Sequence, residues 1–216
     1  MSFFGKLFGK DEQAVRQLKH PMDLRVGDMI TLDDSFALPP QLRGQQLRVE
    51  AINTYEYEHS HTPEFVLKGH SAEPIYMGLE QDDDTWLTFS IKLTRAQVET
   101  LFDLDAFAEI FDAPGNASLS PQPLTDANAS HEQWLAQTYH QVTFAQFGYF
   151  HRQDYRQGKP PQFTDSNPGE AFEAYSLMNG EEDKAVDIEV YQDGDTDVLL
   201  TLYRPLSDIR DYWPGE

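Results

Sequence analysis

The residues whose types best suit them to chemistry are Glu56, Glu58, His59, His61 and His70. Imidazole nitrogens and carboxylate oxygens ligate divalent transition metals, and a bound metal can activate a water for hydrolysis. The enzymatic reading of the chain is therefore a metal-assisted hydrolase built on the His59/His61 region. The spacing argues against it. In an extended strand Glu56 and Glu58 share one face while His59 and His61 take the other. A second acidic set, Asp193-x-Asp195-x-Asp197 together with Asp82-Asp83-Asp84, opens like a calcium loop. Such a loop needs Gly at its sixth position and Glu at its twelfth, and Val198 and Arg204 stand there. These acids are read as solvated turns that bond their own backbone.

Other chemistry has less support. The chain lacks phosphate-cradling GxxxxGK[ST] and GxGxxG loops, the zinc-binding HExxH and the serine elbow GxSxG. It has no cysteine, so thiolate ligands, disulfides and thiol nucleophiles are excluded. His131, His140 and His151 are scattered through the second half and define no dyad. No catalytic residue, metal ligand or cofactor is assigned, and the expectation is a non-enzymatic protein. The aromatic run Tyr139, Phe144, Phe147, Tyr149, Phe150 and Tyr155 would suit base stacking on a basic surface. A formal charge of −21 removes the counterion-releasing surface that nucleic acid requires, so these rings are read as core.

The N-terminal segment is the candidate for docking. Phe3, Phe4, Leu7 and Phe8 fall on one side of a helix beside Lys6 and Lys10, and Val15 and Leu18 extend the stripe. Lys6, Lys10, Arg16 and Lys19 against Asp11 and Glu12 give residues 1–20 a charge of +2, leaving −23 on the rest. A short, basic, Phe-rich segment suits a partner groove or the surface of an anionic membrane. Phe3, Phe4, Lys6, Leu7, Phe8 and Lys10 are the contact candidates, with a membrane-associated protein as the expected partner. No run reaches the ~18 apolar residues of a spanning helix, and lysines interrupt any signal-like core. The expected location is the cytoplasm, peripheral to the inner membrane.

These side chains must be held by a β-rich scaffold. The segment IYMGLEQDDDTWLTFSIKL (Ile75–Leu93) is echoed by VDIEVYQDGDTDVLLTLYR (Val186–Arg204) at a constant offset of 111 residues, as Gln81 with Gln192 and Thr85 with Thr196 illustrate. Both read as hairpins with acidic turns. Facing Leu79 with Leu87 and Val190 with Val198 centres the turns on residues 83 and 194, with odd loop lengths. Thr94-x-x-Gln97 and Ser130-x-x-Gln133 have capping-box spacing, and Asp105 can cap a short helix. Tyr139–Arg156 reads as a long strand bent at Gly148. Composition divides the chain into an N-terminal segment (1–20), a first β unit (21–112), a linker (113–129) and a second β unit (130–216). The fold expected is β-rich α+β, two tandem homologous antiparallel β units with a few short helices.

MSFFGKLFGKD (Met1–Asp11), LRVGDMITLD (Leu24–Asp33) and the strand from Leu47 onward resemble an uncharacterised bacterial family whose members accompany homologues of phage shock protein A. The likeness is best over the N-terminal quarter and none of its motifs is catalytic. It implies an interaction module in bacterial envelope stress, acting near the inner membrane, and transfers no active-site residue.

Overall fold

The structure, a computed structural model, describes residues 16–81, 84–126 and 128–215. Runs of alternating apolar and polar residues become strands, because period two matches the pleat. In chain order these are β1 (Met29–Leu32), β2 (Gln46–Glu56), β3 (His61–Lys68), β4 (Ile75–Gln81) and β5 (Thr85–Leu93). Two short helices follow, α1 (Arg95–Leu101) and α2 (Leu104–Ala108). The remaining strands are β6 (Ser118–Leu119), β7 (Tyr139–His151), β8 (Glu170–Met178), β9 (Lys184–Tyr191), β10 (Thr196–Pro205) and β11 (Ile209–Trp213).

All the strands join one antiparallel sheet, ordered β11-β1-β2-β3-β4-β5-β10-β9-β8-β7-β6. Its arms meet where the end of β2 pairs with β7, through Thr54–His151, Tyr55–Phe150 and Glu56–Tyr149. Strands β2, β3, β4, β5, β10, β9, β8 and β7 therefore close into an eight-stranded ring. Strands β1 and β11 extend the sheet beyond the first half of β2, and closure removes long free edges from the ring itself.

Alternation gives every ring strand two faces. Registers such as Tyr76 with Ser90, Ser90 with Thr201 and Asp187 with Ser176 align one polar row around the ring. The polar row points inward, because Tyr55 on β2 reaches Glu189 on β9 and no pairing joins those strands. The opposite row, including Phe65, Met77, Leu87, Phe89, Ile188 and Leu200, is fully buried on the outside. It packs with Val98 and Leu101 of α1, Leu38 and Leu42 of the loop before β2, and Trp134. The hydrophobic core thus wraps the ring, and each such side chain contributes about 1.5–3 kcal/mol by leaving water.

The first hairpin has the expected register, Leu79 opposite Leu87. In the second, Val198 pairs with Ile188 rather than Val190, and the turn centres on Asp193. Gly194 takes a φ of +95°, and its N–H bonds Tyr191 O, closing a three-residue turn that the first hairpin need not copy. A slip of two residues preserves parity, so the apolar row stays on its face. The two hairpins lie side by side, with the Ser90 and Thr201 hydroxyls 2.9 Å apart.

Several local expectations are corrected. Thr94 and Gln97 do form a capping box, but α2 is capped by Asp103, whose carboxylate accepts from the N–H groups of Asp105 and Ala106. Ser130 caps nothing; it lies within a 3₁₀ turn over Ala129–Trp134, which follows Asn128. Strand β7 is irregular between Gln141 and Gln146, with Ala145 at φ +48°, so the bend precedes Gly148. Gly148 instead permits close approach, since a Cβ there would lie 2.8 Å from the Phe172 ring and 3.0 Å from Glu56 O. Residues 113–129 contribute buried Ala117 and Leu119 and a short pairing with β7. The halves share their sheet through β5–β10 and β2–β7.

Candidate functional site

The ring encloses a cavity of about 740 Å³ to which all eight of its strands contribute lining residues. That volume is in the range of small-molecule sites. Its lining follows from the inward row. Strands β2 and β3 supply Tyr55 and Glu64, β4 and β5 supply Tyr76, Glu80, Thr88 and Ser90, and β9 and β10 supply Asp187, Glu189, Thr201 and Tyr203. Among the described lining residues Glu64, Glu80, Asp187 and Glu189 are acidic and none is Lys or Arg. Lys92 lies nearby, and its ammonium group is engaged by Asp197.

Three of the carboxylates sit in two groups. Asp187 accepts from Ser176 Oγ at 2.5 Å and from Thr201 Oγ1 at 2.6 Å. With the single Thr201 proton used there, Ser90 is left to donate to Thr201. In the second group Asn53 Nδ2 donates to Glu64 Oε1 at 2.9 Å, and the Tyr55 hydroxyl donates to Glu64 Oε2 at 3.2 Å. The Tyr191 hydroxyl donates to Glu189 at 2.7 Å. Aromatic rings flank this group: Tyr55 lies 5.0 Å from Phe150 and 5.6 Å from Phe172, and Tyr57 lies 5.9 Å from Phe172.

Burial governs the titration of these groups. Desolvation pushes Glu64 and Asp187 above the usual carboxylate range, against the lowering effect of their hydrogen bonds. It pushes Glu189 up to about 7, helped by the nearby charges of Glu64 and Asp197. Tyr57, Tyr191 and Tyr203 are raised for the same first cause, so they remain neutral donors. Asp187 and Glu189 nonetheless keep accessible surface while lying deep in the fold, because that surface faces the cavity. The arrangement offers carboxylate acceptors, hydroxyls of which four donate to those carboxylates, and aromatic walls.

The residues singled out from sequence are dispersed. His59 is 87% exposed and 3.9 Å from Glu58, which is also exposed, while His61 is exposed where it lines the cavity. His70 is also exposed. Glu56 is buried against His151, Oε2 to Nε2 at 2.7 Å, with Asn167 Nδ2 donating to the same oxygen at 2.9 Å. His151 therefore has a defined partner that its sequence surroundings hid. Among the described residues no three His, Cys, Asp or Glu converge as metal ligands. Asp193 Oδ1 accepts from Asp195 N in a local turn. In the aromatic run Phe150 packs in the ring interior, while Phe147, Tyr149 and Phe163 cluster on the other face. The docking candidates Phe3, Phe4, Lys6, Leu7, Phe8 and Lys10 lie outside the described residues, as do Asp82 and Asp83.

The cavity residues escaped the sequence reading although their signal was present. Tyr55-x-Tyr57 and Asp187-x-Glu189-x-Tyr191 are the polar partners of apolar rows and look like a solvent face. Only the β2–β7 closure turns that face into a lining. Among the described residues no helix is long and apolar enough to cross a membrane. No protein-family model, curated protein or solved structure matches the chain.

Proposed function

We propose that the protein is a non-enzymatic binding module whose recognition element is the ring interior. One observation carries this reading: the polar row of all eight strands surrounds a cavity of ligand size, while the hydrophobic core lies outside it. Polar side chains buried without a function are costly, and a hydrophobic interior would stabilise the ring more simply. The two hairpins arose by duplication of one β unit, which accounts for the 111-residue offset across the Ser90–Thr201 contact. The N-terminal segment, through Phe3, Phe4, Lys6, Leu7, Phe8 and Lys10, docks the module on a membrane-associated protein partner in bacterial envelope stress.

Blocking the interior tests the central claim. Ala174→Trp on β8 and Thr88→Trp on β5 each place an indole in the cavity. Wild type and both variants are screened by thermal shift against polyols, amines, carboxylates and nucleosides. A ligand at 100 times its Kd stabilises by about 2.7 kcal/mol, which raises Tm by roughly 5–10 °C in a chain of this size. At least one class should shift wild type and leave a folded blocked variant unmoved. No response in any class, or equal responses in the blocked variants, would overturn the reading.

A further inference from the structure

The walls of the cavity specify what enters it. The hydroxyls of Tyr55, Tyr191, Ser176 and Thr201 are already donating to the carboxylates of Glu64, Glu189 and Asp187. What they leave open is acceptor capacity, because an ionised carboxylate has about four lone-pair positions and no proton to give. Toward these three carboxylates a guest must therefore bring donors. An anionic guest would meet four acidic side chains and no Lys or Arg among the described lining residues. A neutral polyol would satisfy hydrogen bonds and leave the negative charge in place. A cationic donor satisfies both, and the Tyr55 and Tyr57 rings that line the cavity suit a cation further. Asp187 and Glu189 are two residues apart on one face of β9, so their Cα atoms stand roughly 6–7 Å apart along the strand. That separation allows two nitrogens of one guest to be met at once.

Resting on the reading of the ring interior as a ligand site, we propose that its ligand is a small organic ammonium compound, with Glu64, Asp187 and Glu189 as acceptors and Tyr55 and Tyr57 as aromatic walls. The lining tyrosines and the cavity inside the ring distinguish this site from a surface cluster of acids. Binding is linked to protons. Glu189 is faced by Tyr55 from β2 and Tyr57 just beyond it, Glu64 from β3, Tyr76 from β4 and Asp197 from β10, with Asp187 and Tyr191 on its own strand, while Lys92 of β5 acts on Glu64 and Asp197. The β8 positions opposite it and Asp187, Ala174 and Ser176, carry no titratable group. With Glu189 titrating near 7, a cation that requires its ionised form displaces a proton from it and binds about tenfold more tightly at pH 8 than at pH 6.

The test is calorimetric titration of the full chain with putrescine, spermidine and choline chloride at pH 6 and pH 8. Each titration is run in phosphate, and proton release at pH 8 is read by pH-stat titration in unbuffered saline, because an amine buffer would compete for the site. At least one compound should bind at pH 8, release protons and weaken about tenfold at pH 6. Glu189→Gln and Glu64→Gln should each weaken it tenfold or more, and the blocked Thr88→Trp variant should abolish it. Glu99→Gln, at an exposed helical ion pair, should bind like wild type. No ammonium binding at pH 8, or full affinity in Glu189→Gln, overturns the proposal. If a polyol or anion binds wild type and not Thr88→Trp, the ammonium inference fails while the ligand-site reading stands. If no class binds, both fail.

Discussion

Replacing Glu189 with Gln should stabilise the unliganded protein at alkaline pH. The fold raises this carboxyl from 4.5 to about 7, chiefly by desolvation, so the folded state favours its neutral form. Below pH 4.5 the group is protonated in both folded and unfolded chains and contributes nothing. As pH rises from 4.5 through 7, the unfolded chain ionises freely while the folded one resists, and stability falls. Above 7 the loss is complete, at about 3 kcal/mol from ~1.4 kcal/mol per pH unit. Glu189 keeps accessible surface toward the cavity, which screens part of this, so a gain of ~1–3 kcal/mol is expected for Glu189→Gln at pH 8. Gln keeps an acceptor for the Tyr191 hydroxyl, so the hydrogen bond survives. Urea denaturation of wild type and variant between pH 4.5 and pH 8.5 reads the difference directly. The gain should grow across this window and vanish at its acid end. A variant that is less stable at pH 8, or a difference independent of pH, would refute the placement of Glu189 inside a desolvated ring.

Phe89→Ala, fully buried on the outer face, should cost ~3–5 kcal/mol by denaturant titration, and Leu200→Ala ~2–5 kcal/mol; a loss under 1 kcal/mol would mean the apolar row faces elsewhere. His151→Ala leaves Glu56 buried with one fewer partner and should cost ~1–3 kcal/mol, with faster amide exchange in the 157–169 loop that Asn167 ties to the same carboxylate. Gly148→Ala forces a methyl against the Phe172 ring and Glu56 O, and should destabilise by ~1–3 kcal/mol with amide exchange rising at the β2–β7 seam first. Deleting residues 1–15 should leave Tm nearly unchanged and abolish membrane co-fractionation in cells. The cut belongs there rather than after residue 19, because Leu18 packs on the core and Arg16 pairs with Asp28.

What the sequence determined by itself is local. Period-two alternation marked both hairpins, parity fixed which residues share a face, and Thr94 with Gln97 announced the start of α1, since each depends on neighbours a few positions away. A local pattern says which residues lie on opposite faces, but not which face meets water. Glu64, Asp187 and Glu189 read as solvated because nothing within a strand reveals that β2 will pair with a strand nearly a hundred residues later. The same closure brought Glu56 to His151, which sequence distance had kept apart. The two-residue slip in the second hairpin was hidden too, because the apolar row tolerates any even shift and the backbone freedom of Gly194 selects one. The tertiary structure decided the inside from the outside, since ring closure is a non-local pairing that places the apolar core around the ring and the carboxylates within it.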